Sequence, residues 1–178
     1  MTKLITTLTS LMVALAACAT APSTTASREN MESRARATVR EMTARDPGLQ
    51  DLLTHSAGYA VFPEIGKAGF VVGGAFGRGV LFEHGGPNGF VSITQGSFGA
   101  QLGGQTLSEL IVFRDRFAVD RLKTGSFELG ANMSAVAITA GAAASARFTD
   151  GVTVFTLPRG GLMAEISVSG QKLSYQGA

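Results

Sequence analysis

Between Tyr59 and Gly104 short apolar segments alternate with glycine so regularly that few folds can accommodate the stretch. Such punctuation predicts strands of a tightly packed antiparallel sheet, with glycine where the backbone turns or where two backbones come close. Strands are expected near Tyr59–Phe62, Gly69–Ala75, Gly79–Glu83, Phe90–Thr94 and Phe98–Leu102. His84-Gly85-Gly86-Pro87-Asn88-Gly89 forms a turn between the third and fourth. The chain has 178 residues, enough for one domain with a real core. Its 23 glycines and 16% charged residues argue against an ordinary helical protein.

Downstream, Thr106–Phe113 suits either a short helix or a strand, and Arg114-Asp115-Arg116 gives a charged, exposed end. The small-residue run AVAITAGAAASA, within Phe127–Phe148, is too short to cross a bilayer and reads as a closely packed strand pair. Val152–Leu157 and Gly161–Val168 read as strands flanking Pro158-Arg159-Gly160 in a hairpin, and Lys172–Tyr175 closes the domain. The expected fold class is α+β: an N-terminal helical segment on a glycine-rich antiparallel sheet that can curl into a barrel.

Residues 1–17 have one early cation, Lys3, and then a moderately apolar run, the order of a secretory signal. Leu15-Ala16-Ala17-Cys18 matches the bacterial lipobox, which precedes a cysteine that receives a diacylglycerol thioether. Cys18 is the only cysteine, so no disulfide framework exists and lipidation is its expected role. Acyl chains contribute about 0.8 kcal/mol per buried methylene, enough for anchoring without a transmembrane helix. Ala19 stands where inner-membrane lipoproteins often carry aspartate, which favours the outer membrane, facing the periplasm. The resulting division is signal peptide 1–17, lipidated cysteine and flexible tether 18–28, and domain 29–178.

Ser27 is expected to cap a helix in which Met31, Ala35, Val39 and Met42 recur on one face. Arg28, Arg34, Arg36, Arg40 and Arg45 lie opposite, and Asp46-Pro47-Gly48 stops the helix. Two readings remain open. The helix packs its methionines on the sheet, or it docks on an anionic membrane with Met31 and Met42 against lipid. Leu49–His55 forms a second helical piece supplying Leu49, Leu52 and Leu53 to the core.

Four segments together resemble the SYLF domain family: GYAVFPEIGKAGFVVGGAFGRGVL (58–81), SFGAQLGGQTLSELIVF (97–113), FELGANMSAVAITAG (127–141) and VFTLPRGGLMAEISVSGQKL (154–173). The resemblance extends over about residues 29–176. Where the family commonly has Trp-Ser-x-Pro, this chain has Phe90-Val91-Ser92-Ile93. The resemblance implies non-enzymatic binding of acidic phospholipids. Actin binding is a property of eukaryotic members and is not expected for a periplasmic bacterial protein.

No phosphate loop of the G-x-x-x-x-G-K-[ST] type, G-x-G-x-x-G pattern or G-x-S-x-G elbow occurs, and His55 and His84 stand without metal-binding spacing. Neither an enzyme nor a cofactor is therefore expected. Glu64 with Lys67 reads as an exposed pair, and Glu83 with His84 as a solvated turn. With a formal charge of +2 (15 − 13), or +1 once Lys3 is removed, bulk nucleic-acid binding is not expected. The candidate headgroup contacts are Lys67, Arg78, Arg159, Lys172, Arg34, Arg36 and Arg40, alongside the pairs Arg114/Arg116 and Arg121/Lys123. A cation beside an anionic bilayer gains about 1 kcal/mol, so a few converging on one face give weak, salt-sensitive docking. The rival expectation is an envelope-interaction protein whose sheet recruits a protein partner.

Overall fold

The computed structural model describes residues 21–69, 72–98, 103–125, 127–160 and 168–178. Cys18, the signal segment 1–17 and the predicted strand pieces 99–102 and 161–167 lie outside the described residues. Helix α1 (Thr25–Arg45) and helix α2 (Gly48–His55) precede strands β1 (Gly58–Gly69), β2 (Val72–Glu83), β3 (Gly86–Phe98) and β4 (Gly103–Phe113). Helix α3 (Arg116–Lys123), β5 (Phe127–Glu128), β6 (Ala135–Ala137), helix α4 (Ala142–Ser145), β7 (Val152–Gly160) and β8 (Lys172–Gln176) follow. The strands form one curled sheet, a half-barrel, in the order β5-β8-β3-β2-β1-β4-β7-β6. Pairing is antiparallel except between β6 and β7. The fold class is α+β, as expected.

Both faces of the sheet are covered. On the inner face Phe62, Ile65, Leu81, Val91, Ile93, Leu107, Ile111 and Phe113 pack together, and α3 adds Ala118, Val119 and Leu122. On the outer face Val61, Val80, Phe82, Leu110, Val112 and Phe155 meet Ala35 and Met42 of α1 and Leu49 and Leu53 of α2. Fully burying a side chain of this size contributes about 1.5–3 kcal/mol, so the two layers stabilise the curl jointly. Double coverage also explains why Thr106–Phe113 resembled a helix as much as a strand. Leu107 through Phe113 are all buried, so no apolar–polar alternation remains to mark a strand.

Helix α1 packs on the sheet: Ala35 and Met42 are 0% exposed and Met31 is only half-buried, which removes Met42 from any lipid contact. Its cap is Thr24 rather than Ser27. The Thr24 hydroxyl accepts from the Ser27 backbone N–H at 3.2 Å, and the Ser27 hydroxyl accepts from Thr24 N–H at 3.2 Å. Ser27 is thus the third helical residue of a capping box. The helix begins inside the segment expected to be tether, and the Ala21 N–H donates to Gln176 Oε1 at 3.1 Å.

Several expected breaks are continuous strand. Of the two pieces predicted within 69–83, Gly69 is the end of β1 while 72–75 and 79–83 share the single strand β2, and β3 runs through Gln95-Gly96-Ser97. Only His84 (φ 51°) and Gly85 (φ 78°) form the turn between β2 and β3, because two consecutive left-handed residues match the twist of the paired strands. Pro158-Arg159-Gly160 is the end of β7, in register with β4 through Leu107↔Pro158 and Thr106↔Gly160. AVAITAGAAASA is no strand pair: it holds three-residue β6 and the single turn of α4. Helix α4 has glycine at its cap and receives its acceptor from elsewhere. Buried Asp46 accepts from Ala143 N–H at 2.6 Å and from Gly141 N–H at 3.3 Å, pinning this segment to the corner between α1 and α2.

The feature that shapes the outer face is a bulge in β1. Register with β4 shifts between Phe62 and Ile65, where Pro63 has no N–H to give to a ladder. The Pro63 carbonyl accepts from the Ser108 hydroxyl at 2.6 Å. Phe62 and Ile65 both turn inward, leaving Glu64 exposed on the helical side. The neighbouring strand must be thin here. A Cβ at Gly79 would lie 2.1 Å from the Val61 carbonyl oxygen, and one at Gly77 would lie 2.6 Å from Ile65 Cγ1.

Candidate functional site

Around this bulge the fold gathers three arginines that lie far apart in sequence. Arg34 comes from α1, Arg78 from β2 and Arg159 from the end of β7. Two adjoining grooves share Arg34, Pro63 and Glu64. The larger, of about 390 Å³, continues to Thr38, Glu41, Thr106 and Arg159; the smaller, of about 260 Å³, continues to Met31, Phe76 and Arg78.

The arginines are held by partners of moderate strength. Arg34 Nη2 donates to Glu64 Oε2 at 2.9 Å, with both side chains about half exposed. Arg159 donates through Nη1 to Glu41 Oε2 at 2.5 Å and through Nε to the Ser108 hydroxyl at 2.6 Å. The Arg78 guanidinium lies 5.6 Å from the centre of the Phe76 ring, and that ring is 44% exposed. Among the described lining residues three guanidinium groups stand beside two carboxylates. Exposed ion pairs are worth only about 0–1 kcal/mol, so an incoming phosphate or carboxylate can displace Glu64 or Glu41 at little cost. Arginine forks suit such oxyanions because two parallel N–H groups match two oxygens.

The other candidates lie elsewhere. Arg36 is on α1 with its guanidinium 5.1 Å from the centre of the Phe82 ring. There its positive charge opposes, without overcoming, the burial that raises the pKa of Tyr59. Arg40 is exposed on α1, and Lys172 is exposed at the start of β8, opposite Thr94 and Glu128 in the ladder. Lys67 does not form the expected surface pair with Glu64. It lies two residues beyond Ile65 on the inner side, where burial lowers its pKa and the charge of Glu109 opposes that shift. Glu83 pairs with Lys123 rather than with His84.

Sequence reasoning passed over Glu109 and Gln171. Both are fully buried, and Gln171 Nε2 donates to Glu109 Oε2 at 3.1 Å. Burial pushes the Glu109 carboxyl up to about 7, against the opposing effects of the Gln171 hydrogen bond and the charge of Lys67. The available signal was a single acid within the otherwise uncharged run Leu107–Phe113. Among the described residues no group of three or more His, Cys, Asp or Glu side chains is arranged to hold a metal ion, and no helix is long and apolar enough to cross a membrane.

Fold and site thus define an α+β domain with a curled, doubly covered sheet and an arginine-lined outer groove. Residues 94–177 match the family model described as Ysc84, Las17-binding protein actin regulator, and this match supports assigning that stretch to the SYLF (Ysc84) domain family. The matched stretch runs from β3 to β8 and includes Glu109, Arg159 and Gln171. The family is one of lipid- and actin-related binding. No curated protein matches the sequence.

Proposed function

We propose that the protein is a non-enzymatic phospholipid-binding lipoprotein of the bacterial envelope, anchored through acylated Cys18 in the outer membrane and facing the periplasm. Its domain recognises anionic headgroups in the groove formed by Arg34, Arg78 and Arg159. The observation that carries this reading is the convergence of those arginines on the Pro63–Glu64 bulge, beside exposed Phe76. Phosphate oxygens replace the Glu64 and Glu41 carboxylates, while the Phe76 ring offers apolar contact to the glycerol and upper acyl region. The family match agrees with a lipid ligand.

Co-sedimentation of a form beginning at Ala19 with anionic and neutral vesicles, across a salt series, tests this. That form lacks the acyl anchor, so any membrane affinity belongs to the domain. Binding to anionic vesicles that fades with salt is expected. Absence of binding to both vesicle types would leave Cys18 as the sole membrane contact and place an envelope protein partner first.

A further inference from the structure

Inside the half-barrel one hydrogen bond joins elements that the sheet keeps apart. Glu109 belongs to β4, while Gln171 immediately precedes β8, and in the sheet order β3, β2 and β1 stand between those two strands. The Gln171 side chain therefore reaches across the inner face rather than along it. This contact leaves two oxygens, Glu109 Oε1 and Gln171 Oε1, buried and without a hydrogen-bond partner among the described residues. Both are acceptors if the carboxyl is ionised. Two buried acceptors left in this state are costly, and the arrangement is short of one proton.

We propose that Glu109 is held as the neutral carboxylic acid and pairs edge to edge with the Gln171 carboxamide, forming a proton-dependent latch that ties β4 to the start of β8 across the inside of the sheet. The amide Nε2 donates to Oε2, as seen, and the acid proton on Oε1 is donated to the amide Oε1. One proton thus satisfies both oxygens. In register, the neighbouring strands place Phe62 and Thr156 beside Glu109, neither of which carries a charge. The charged group acting on it among the described residues is Lys67 of β1, half-buried and favouring the ionised form. Deprotonation turns Oε1 into a second acceptor facing Gln171 Oε1, and the latch opens.

The folded state then holds a proton that the unfolded chain releases at the ordinary carboxylate value, so stability is greatest at low pH and falls as pH rises. The folding equilibrium constant is expected to fall by up to tenfold per pH unit between 4.5 and about 7, and to level off above. Glu109→Gln replaces the acid with an amide that donates to Gln171 Oε1 at every pH, and its denaturation curves should lose this slope. Denaturant titrations of the detergent-solubilised full chain from pH 5 to 8 compare the two. In parallel, carbon-13 NMR of the Glu109 side-chain carbonyl, assigned through its own backbone connectivity, follows the proton in the unmutated protein even if the variant fails to fold. A carbonyl that titrates near neutrality, with a slope lost in Glu109→Gln, is the expected result. A carbonyl already ionised by pH 5, or a slope that persists in the variant, overturns the latch.

Discussion

The two faces of the sheet use the same kinds of charged residue to opposite ends. On the outer face Arg34–Glu64 and Arg159–Glu41 are at least partly solvated pairs in an open groove, readily exchanged for another anion. On the inner face Lys67, Glu109 and Gln171 lie among Phe62, Ile65 and Leu107, where any change of charge is felt by the whole fold. The difference shows that solvent access, more than residue type, decides whether a polar cluster can bind or must hold the structure.

The most direct way to break the comparison is to overfill the inner side of the bulge. Gly79→Ala forces a methyl against the Val61 carbonyl and should cost at least about 3 kcal/mol or prevent folding, read as a loss of Tm. Gly66→Ala, with nothing within 4 Å of its Cβ, should stay within about 0.5 kcal/mol. Equal effects at the two sites would remove the asymmetry between crowded and open positions. Next in size is Glu109→Gln at pH 8. Carrying the carboxyl from 4.5 to about 7 corresponds to up to about 3 kcal/mol of penalty above neutrality. The variant should therefore be more stable than the parent at pH 8 and nearly equal to it at pH 5.

Asp46→Ala should cost about 1–2 kcal/mol, because it removes the acceptor for Gly141 and Ala143 and frees the segment carrying α4. Hydrogen exchange should show the loss of protection concentrated in 138–146. The smallest effect on stability belongs to the outer face. Arg34→Gln should change stability by less than about 1 kcal/mol in urea titrations, while lowering affinity for anionic vesicles.

The contrast also explains what could be read from the chain. The apolar segments around glycine specify a sheet, and the spacing of Met31, Ala35, Val39 and Met42 gives the helix that covers it. Their continuity was less legible. Gly96 and Pro158-Arg159-Gly160 are turn-forming by composition, but pairing with β2 and β4 holds them extended. Helix α3 was missed because its signal is short: an Asp115 side chain capping Ala118 N–H at 3.0 Å, followed by only two turns. For the site, Arg34, Arg78 and Arg159 were recognisable as candidates, but their meeting depends on the Pro63 bulge and on β4 pairing with both β1 and β7. No spacing in the sequence encodes that. Lys67 was assigned to the surface because the bulge, which reverses the facing of the residues beyond it, could not be foreseen.

The most direct test of the account is to neutralise two sets of three cations separately and measure vesicle binding. One variant carries Arg34→Gln, Arg78→Gln and Arg159→Gln in the groove. The other carries Arg116→Gln, Arg121→Gln and Lys172→Gln outside it, so the net charge is the same. At about 1 kcal/mol per cation, the groove triple should lose roughly a hundredfold in affinity for anionic vesicles, while the control stays close to the parent. Equal losses in both would mean diffuse attraction with no site, and an unchanged groove triple would contradict the proposal that the outer groove binds lipid.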